Sequence, residues 1–191
     1  MIRLIGFLLI FIIAGCYKTS PLPERHSIGY FEAILNGKVW SRTYLNAYQT
    51  VESALVPFSA SLPCTDDHLE IFSELYSPEG YLRQKFHLMK IPQKAGKYDI
   101  IPSTPYHCDE QDPVYAELYT ITQDGDVVGD VYTTLKGSDS YLEIEKYNQV
   151  TGETKGTFKL TMVVEKRGGE PALPDTLYFT DGKFHTKFST P

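Results

Sequence analysis

Three cysteines in 191 residues are too few for a multiply cross-linked scaffold, and tryptophan occurs only once. Basic residues are also scarce, 18 against 24 acidic, for a formal net charge of −6. Without a basic stripe to neutralise phosphates, nucleic acid is excluded as a partner, and adhesion to anionic lipid by charge is excluded with it. No Gly-x-Ser-x-Gly elbow, His-Glu-x-x-His pair or phosphate-cradling glycine loop occurs, so no familiar catalytic signature stands out and no cofactor is implied. Nor does any stretch carry the apolar period of an amphipathic helix, or the roughly 20 apolar residues of a spanning one.

What is present begins at the first residue. Arg3 is followed by an apolar run from Leu4 to Ile13, broken only by Gly6, and the run closes on Ala14-Gly15-Cys16. A basic start, a short apolar core and small residues before a cut are the features of a secretory signal peptide. Cys16 directly after Ala-Gly resembles the lipobox of bacterial lipoproteins. That resemblance implies removal of residues 1–15, diacylation of the Cys16 sulfur and acylation of the freed amine. At about 0.8 kcal/mol per buried methylene, two or three acyl chains hold a protein on a membrane unaided. Residues 16–27, with two prolines and no periodicity, then read as a short tether, and residues 28–191 as a single domain.

That domain alternates. Phe31, Ala33 and Leu35 lead to Asn36-Gly37 and on to Trp40, and Asn-Gly between apolar runs is the strongest short-range hairpin signal. Leu45 to Ser53 leaves room for a short helix, and a strand or two through Ala54 to Leu62 is kinked at Pro57. Further hairpins are expected from His68–Tyr76 with Tyr81–Ile91, Val114–Thr122 with Val127–Leu135, and Tyr141–Tyr147 with Thr154–Glu165. In the first of these, Glu70 and Glu74 are expected to face Arg83 and Lys85 on the outer side. A short strand at Ala95–Ile101 and a last one at Thr176–Phe188, bulged at Asp181-Gly182, complete the set. Nine to eleven antiparallel strands without a helix predict an all-β sandwich or distorted barrel.

Four fragments carry a wider resemblance: Phe31-x-Ala33-x-x-Asn36-Gly37-x-x-Trp40, Gly96-x-Tyr98-x-Ile100, Gly156-Thr157-Phe158 and Thr180-Asp181-Gly182-Lys183-Phe184. In that order, behind a lipobox, they resemble a family of uncharacterised Bacteroidota-type lipoproteins built on an all-β domain. The family implies fold and location, and supplies no catalytic residue.

The remaining chemistry is local. Cys64 and Cys108 would be left as an even pair in an oxidising compartment, and a disulfide between them is worth about 4 kcal/mol in the chain-entropy account. Free thiols remain an alternative, as does a zinc set with His68 and His107. Three strand passes between the two cysteines put them at opposite poles, unless Ala95–Ile101 falls short of a full pass or the chain after it runs back. Asp66, Asp67, Asp109, Glu110 and Asp112 flank the cysteines as loop formers that a hard cation could also use. Tyr115 and Tyr119, sharing a strand face with Glu117 and Ile121 and close to Tyr132, Tyr141 and Tyr147, offer a ligand face for a sugar or a protein surface. The reading that follows is an envelope lipoprotein serving as a binding or assembly module. It would be tethered through Cys16, on the periplasmic side of the outer membrane, with an envelope protein or a glycan as partner. The alternative is a hydrolase whose site one sequence does not display.

Overall fold

The computed structural model describes residues 27–40, 48–56, 68–102, 114–169 and 173–188. Cys16, Cys64, Cys108, Asp66, Asp67, Asp109, Glu110 and Asp112 lie outside the described residues. Within them the chain forms eleven strands: β1 (Gly29–Leu35), β2 (Lys38–Val39), β3 (Tyr48–Val56), β4 (His68–Tyr76), β5 (Leu82–Ile91), β6 (Gly96–Ile101), β7 (Val114–Thr122), β8 (Val127–Thr134), β9 (Tyr141–Tyr147), β10 (Thr154–Lys166) and β11 (Thr176–Thr186). Each of the four hairpins stands where alternation and turn chemistry put it. Leu45–Ser53 is the correction: its described part, from Tyr48 on, is strand paired residue for residue with β4. Glu52, outside, alternates there with the buried Val51 and Ser53, and the partner strand makes that alternation productive.

Local chemistry explains the bends. Asn36 and Gly37 both adopt positive φ, 48° and 79°, the conformation a two-residue type I′ turn demands, and Ile34 pairs with Val39 across it. At the far end of the chain the ladder slips between Phe158 and Leu160, opposite Asp181-Gly182. There the Gly182 backbone lies so close to Phe158 that a Cβ would fall 2.5 Å from its ring and carbonyl.

The strands form one mixed sheet in the order β2-β1-β11-β10-β9-β6-β7-β5-β4-β3, with β8 also joining β10 to β7. The sheet therefore forks between β7 and β10. β8 fills the gap at one end, through Met162↔Thr134 and Glu117↔Thr133, and the β6–β9 pair fills it at the other. At the open side, Ile28 donates its N–H to the Val51 carbonyl at 2.7 Å, and Ser53 bridges to Phe188, so the sheet curls into a partial ring. This is the distorted barrel.

Its interior is filled. Phe31 packs on Trp40, Phe86, Phe158 and Phe184 with ring centroids 5.7, 5.1, 4.7 and 6.1 Å away. Trp40 adds edge contacts to Phe86 and Phe179, and all of these rings are buried. Such pairs add about 0.5–1.5 kcal/mol each beyond burial. The indole N–H, which burial would otherwise strand, donates to Gln84 Oε1 at 3.0 Å. Phe31 and Trp40 thus hold central positions in the core.

Candidate functional site

With the axis of the barrel occupied by rings, the chemistry of the described residues is on the outside. β4, β5 and β7 each alternate. Leu69, Ile71, Leu75, Phe86, Leu88, Ala116 and Leu118 go inward, and His68, Glu70, Phe72, Glu74, Lys85, His87, Tyr115, Glu117 and Tyr119 go outward, where each is partly covered by its neighbours. Register arranges that outer layer in rows. Glu52, Phe72, His87, Glu117 and Thr133 form one row across β3, β4, β5, β7 and β8, and Glu74, Lys85 and Tyr119 form the next.

The centre of the layer is Glu70. Its carboxylate meets His87 Nε2 at 3.0 Å and His68 Nε2 at 3.4 Å, and its side chain is 15% exposed. Burial alone would push this carboxyl up, but hydrogen bonds and charge from the two imidazoles outweigh it and hold the pKa at about 2. Phe72 stacks on the His87 ring at 4.0 Å and fixes its plane. Lys85 reaches Glu74 at 3.6 Å and lies 5.5 Å above the Phe72 ring. Two tyrosine hydroxyls donate along their own strands, Tyr76 to Glu74 and Tyr119 to Glu117. Burial first, and then the Glu117 carboxylate, pushes the Tyr119 phenol well above its ordinary value.

The predicted outer pairing is half corrected. Glu74 does meet Lys85, but Glu70 pairs with the histidines, while Arg83 donates to the Gln123 carbonyl at 2.7 Å across to the β7–β8 turn. The reason is register. A bulge between Leu69 and Ile71, opposite Met89 and Lys90, sets His87 across from Phe72 and diagonal to Glu70. Lys90 takes a φ of 56° to make that bulge, and its ammonium comes within 5.9 Å of the Tyr115 ring. Tyr115 and Tyr119 do share the outer face with Glu117, half-buried, at either side of it. Tyr132 leaves that group: it is fully buried and donates to the Leu173 carbonyl at 3.1 Å.

Sequence reasoning missed the histidine–carboxylate cluster. Its signal was the outward alternation of His68, Glu70 and His87; what the sequence left open was the slip that aligns them. Chemically the cluster is a carboxylate hydrogen-bonded between two imidazoles on the outer wall of the sheet. Among the described residues no three His, Cys, Asp or Glu side chains have a geometry that could hold a metal ion. No family model, curated protein or solved structure matches this chain.

Proposed function

We propose that this chain is a lipid-anchored lipoprotein of a bacterial cell envelope, held through Cys16, and that its barrel is a binding or assembly module. The observation that carries the binding reading is the packed interior. Phe31, Trp40, Phe86, Phe158, Phe179 and Phe184 occupy the space where barrels of this size otherwise keep a ligand, which leaves the outer wall to make contacts. That wall carries half-buried aromatics and carboxylates already held in place by hydrogen bonds, so little side-chain entropy is lost when a partner docks. The signal sequence and lipobox support the location, and the resemblance to Bacteroidota-type lipoproteins belongs to the same reading.

The test is capture from native envelopes. A tagged full-length chain is cross-linked in cells, and the recovered material is compared with that from a Glu117→Lys, Tyr119→Ala double variant. A protein or glycan enriched with the parent and lost with the variant supports the reading. If nothing is enriched, or the variant recovers the same material, the outer wall is not the contact surface.

A further inference from the structure

The fork in the sheet makes a second feature, away from the histidine face. Where β8 leaves β10 and β9 takes its place, residues 135–140 bridge the gap. The bridge is tied down by Leu135 N–H to the Thr161 carbonyl, Thr161 N–H to Ser140 Oγ and Ile100 N–H to the Ser140 carbonyl, at 2.8 to 3.0 Å. Between this bridge and β6 lies an open groove of about 540 Å³, within the roughly 300–1,000 Å³ range of small-molecule sites.

Its floor is set by register. Asp99 on β6 pairs with Tyr141 on β9, and Tyr141 pairs with Lys159 on β10, so an acceptor, an aromatic ring and a donor stand side by side on three strands. At about 4.8 Å per strand, acceptor and donor are roughly 10 Å apart at the backbone. Ile101 and Pro102 add an apolar strip at the rim. The charges cancel: Lys159 is paired with Asp139, and Lys97 and Asp99 supply one of each sign. The Lys97 ammonium rests 3.8 Å from the Tyr141 ring centroid. A cation–π contact at an exposed site is weak, so the ring can be uncovered and Lys97 turned into a rim donor.

The geometry points to a carbohydrate site: the groove takes a neutral hexopyranose oligosaccharide, with one sugar ring on Tyr141 between Asp99 and Lys159. A pyranose has an apolar face of C–H groups and a rim of hydroxyls that both donate and accept, which matches an aromatic floor between an acceptor and a donor. A phosphate or sulfate fits poorly, because the two lysines are matched by the carboxylates of Asp99 and Asp139, which repel a second anion. The inference deepens the binding-module reading and rests on it, naming a ligand class at a surface separate from Glu70.

The experiment uses the full chain in a detergent without a sugar headgroup. Maltohexaose, cellohexaose and chitohexaose are titrated by calorimetry, with a heparin hexasaccharide as the anionic probe. Hydrogen exchange is followed with and without each sugar. The expected result is a Kd of about 1 mM or tighter (roughly −4 kcal/mol) for at least one neutral hexasaccharide. It should come with slowed exchange at residues 97–101 and 137–141, and at least tenfold weaker binding by Tyr141→Ala and by Asp99→Asn. Both variants change outward side chains, and a thermal melt like the parent's checks that they fold. Binding of the heparin probe alone, no binding of any neutral sugar, protection elsewhere, or a Tyr141→Ala variant that binds like the parent overturns the proposal. Envelope capture separates the two failures: a captured protein without sugar binding defeats the groove and leaves the module, and an empty capture defeats the module.

Discussion

Arg167 donates from Nη1 to the buried carboxylate of Asp130 at 2.6 Å, joining the end of β10 to a β8 residue that is 1% exposed. The same guanidinium reaches Tyr132 Oη, the Leu173 carbonyl and Asp175, and Asp130 also accepts the Gly168 N–H at 3.0 Å. The segment after β10 is thereby tied to the barrel wall, so closely that a Cβ on Gly168 would fall 2.3 Å from the Gly129 backbone.

Removing Arg167 leaves a buried carboxylate with the Gly168 N–H and the more distant Tyr132 hydroxyl as its partners. A buried carboxylate stripped of its counter-charge destabilises the fold, because nothing then repays its desolvation. Arg167→Ala should therefore lower the denaturant midpoint, by less than the loss of a fully buried pair would, since Arg167 is itself partly exposed. Asp130→Asn, which keeps the shape and the Gly168 contact, should cost clearly less. Equal losses in urea unfolding would show that loss of the charge pair itself, and not the stranding of a buried charge, sets the cost there.

Glu70 makes stability depend on pH in the acid range. Its carboxyl titrates at about 2 in the folded chain against 4.5 when unperturbed. The unfolded chain therefore takes up the proton first as pH falls. The stabilisation is fully present above pH 4.5 and is lost between 4.5 and about 2. At about 1.36 kcal/mol per pKa unit it amounts to no more than about 3 kcal/mol, less what solvent screens. Glu70→Gln should melt lower than the parent at pH 7, and the gap should close as pH falls through that window. A gap of constant size from pH 7 to 2.5 would sink the assignment.

Cys16→Ser should abolish acylation. Cell fractionation should then find the chain released from the membrane pellet, or retained as an uncleaved precursor of higher mass. Unchanged partition into the detergent phase at unchanged mass would remove the lipobox reading.

Cys64 and Cys108 are expected to be bonded. The strands that follow them begin at the same end of the sheet, because Leu69 lies opposite Ile91 while Met89 lies opposite Tyr115. The short strand between them makes no full pass: β6 meets β7 in parallel only at Ile100 and Ile101. The topological objection to the bond is gone on the described residues. Mass spectrometry of a non-reduced digest should find the two peptides linked, and two alkylatable thiols at Cys64 and Cys108 would refute the bond.

The sequence by itself determined the elements. Period-two alternation, Asn36-Gly37, the turn at residues 123–126 and the bulge at Asp181-Gly182 are local, because side-chain direction in a strand and positive φ in a turn depend on neighbours a few residues away. Local pattern also separated core from surface, which is why Phe31, Trp40 and Phe86 lie buried where alternation put them. Beyond the four hairpins, only the tertiary structure decided which strands meet. Pairing β1 with β11, forking the sheet at β10 and setting β6 parallel to β7 join residues far apart in the chain, and no local signal encodes partner or register. Both outer features depend on those choices. A one-residue slip between β4 and β5 decides that His87 lies diagonal to Glu70 on the outer face, and the fork decides that Asp99, Tyr141 and Lys159 stand in one row.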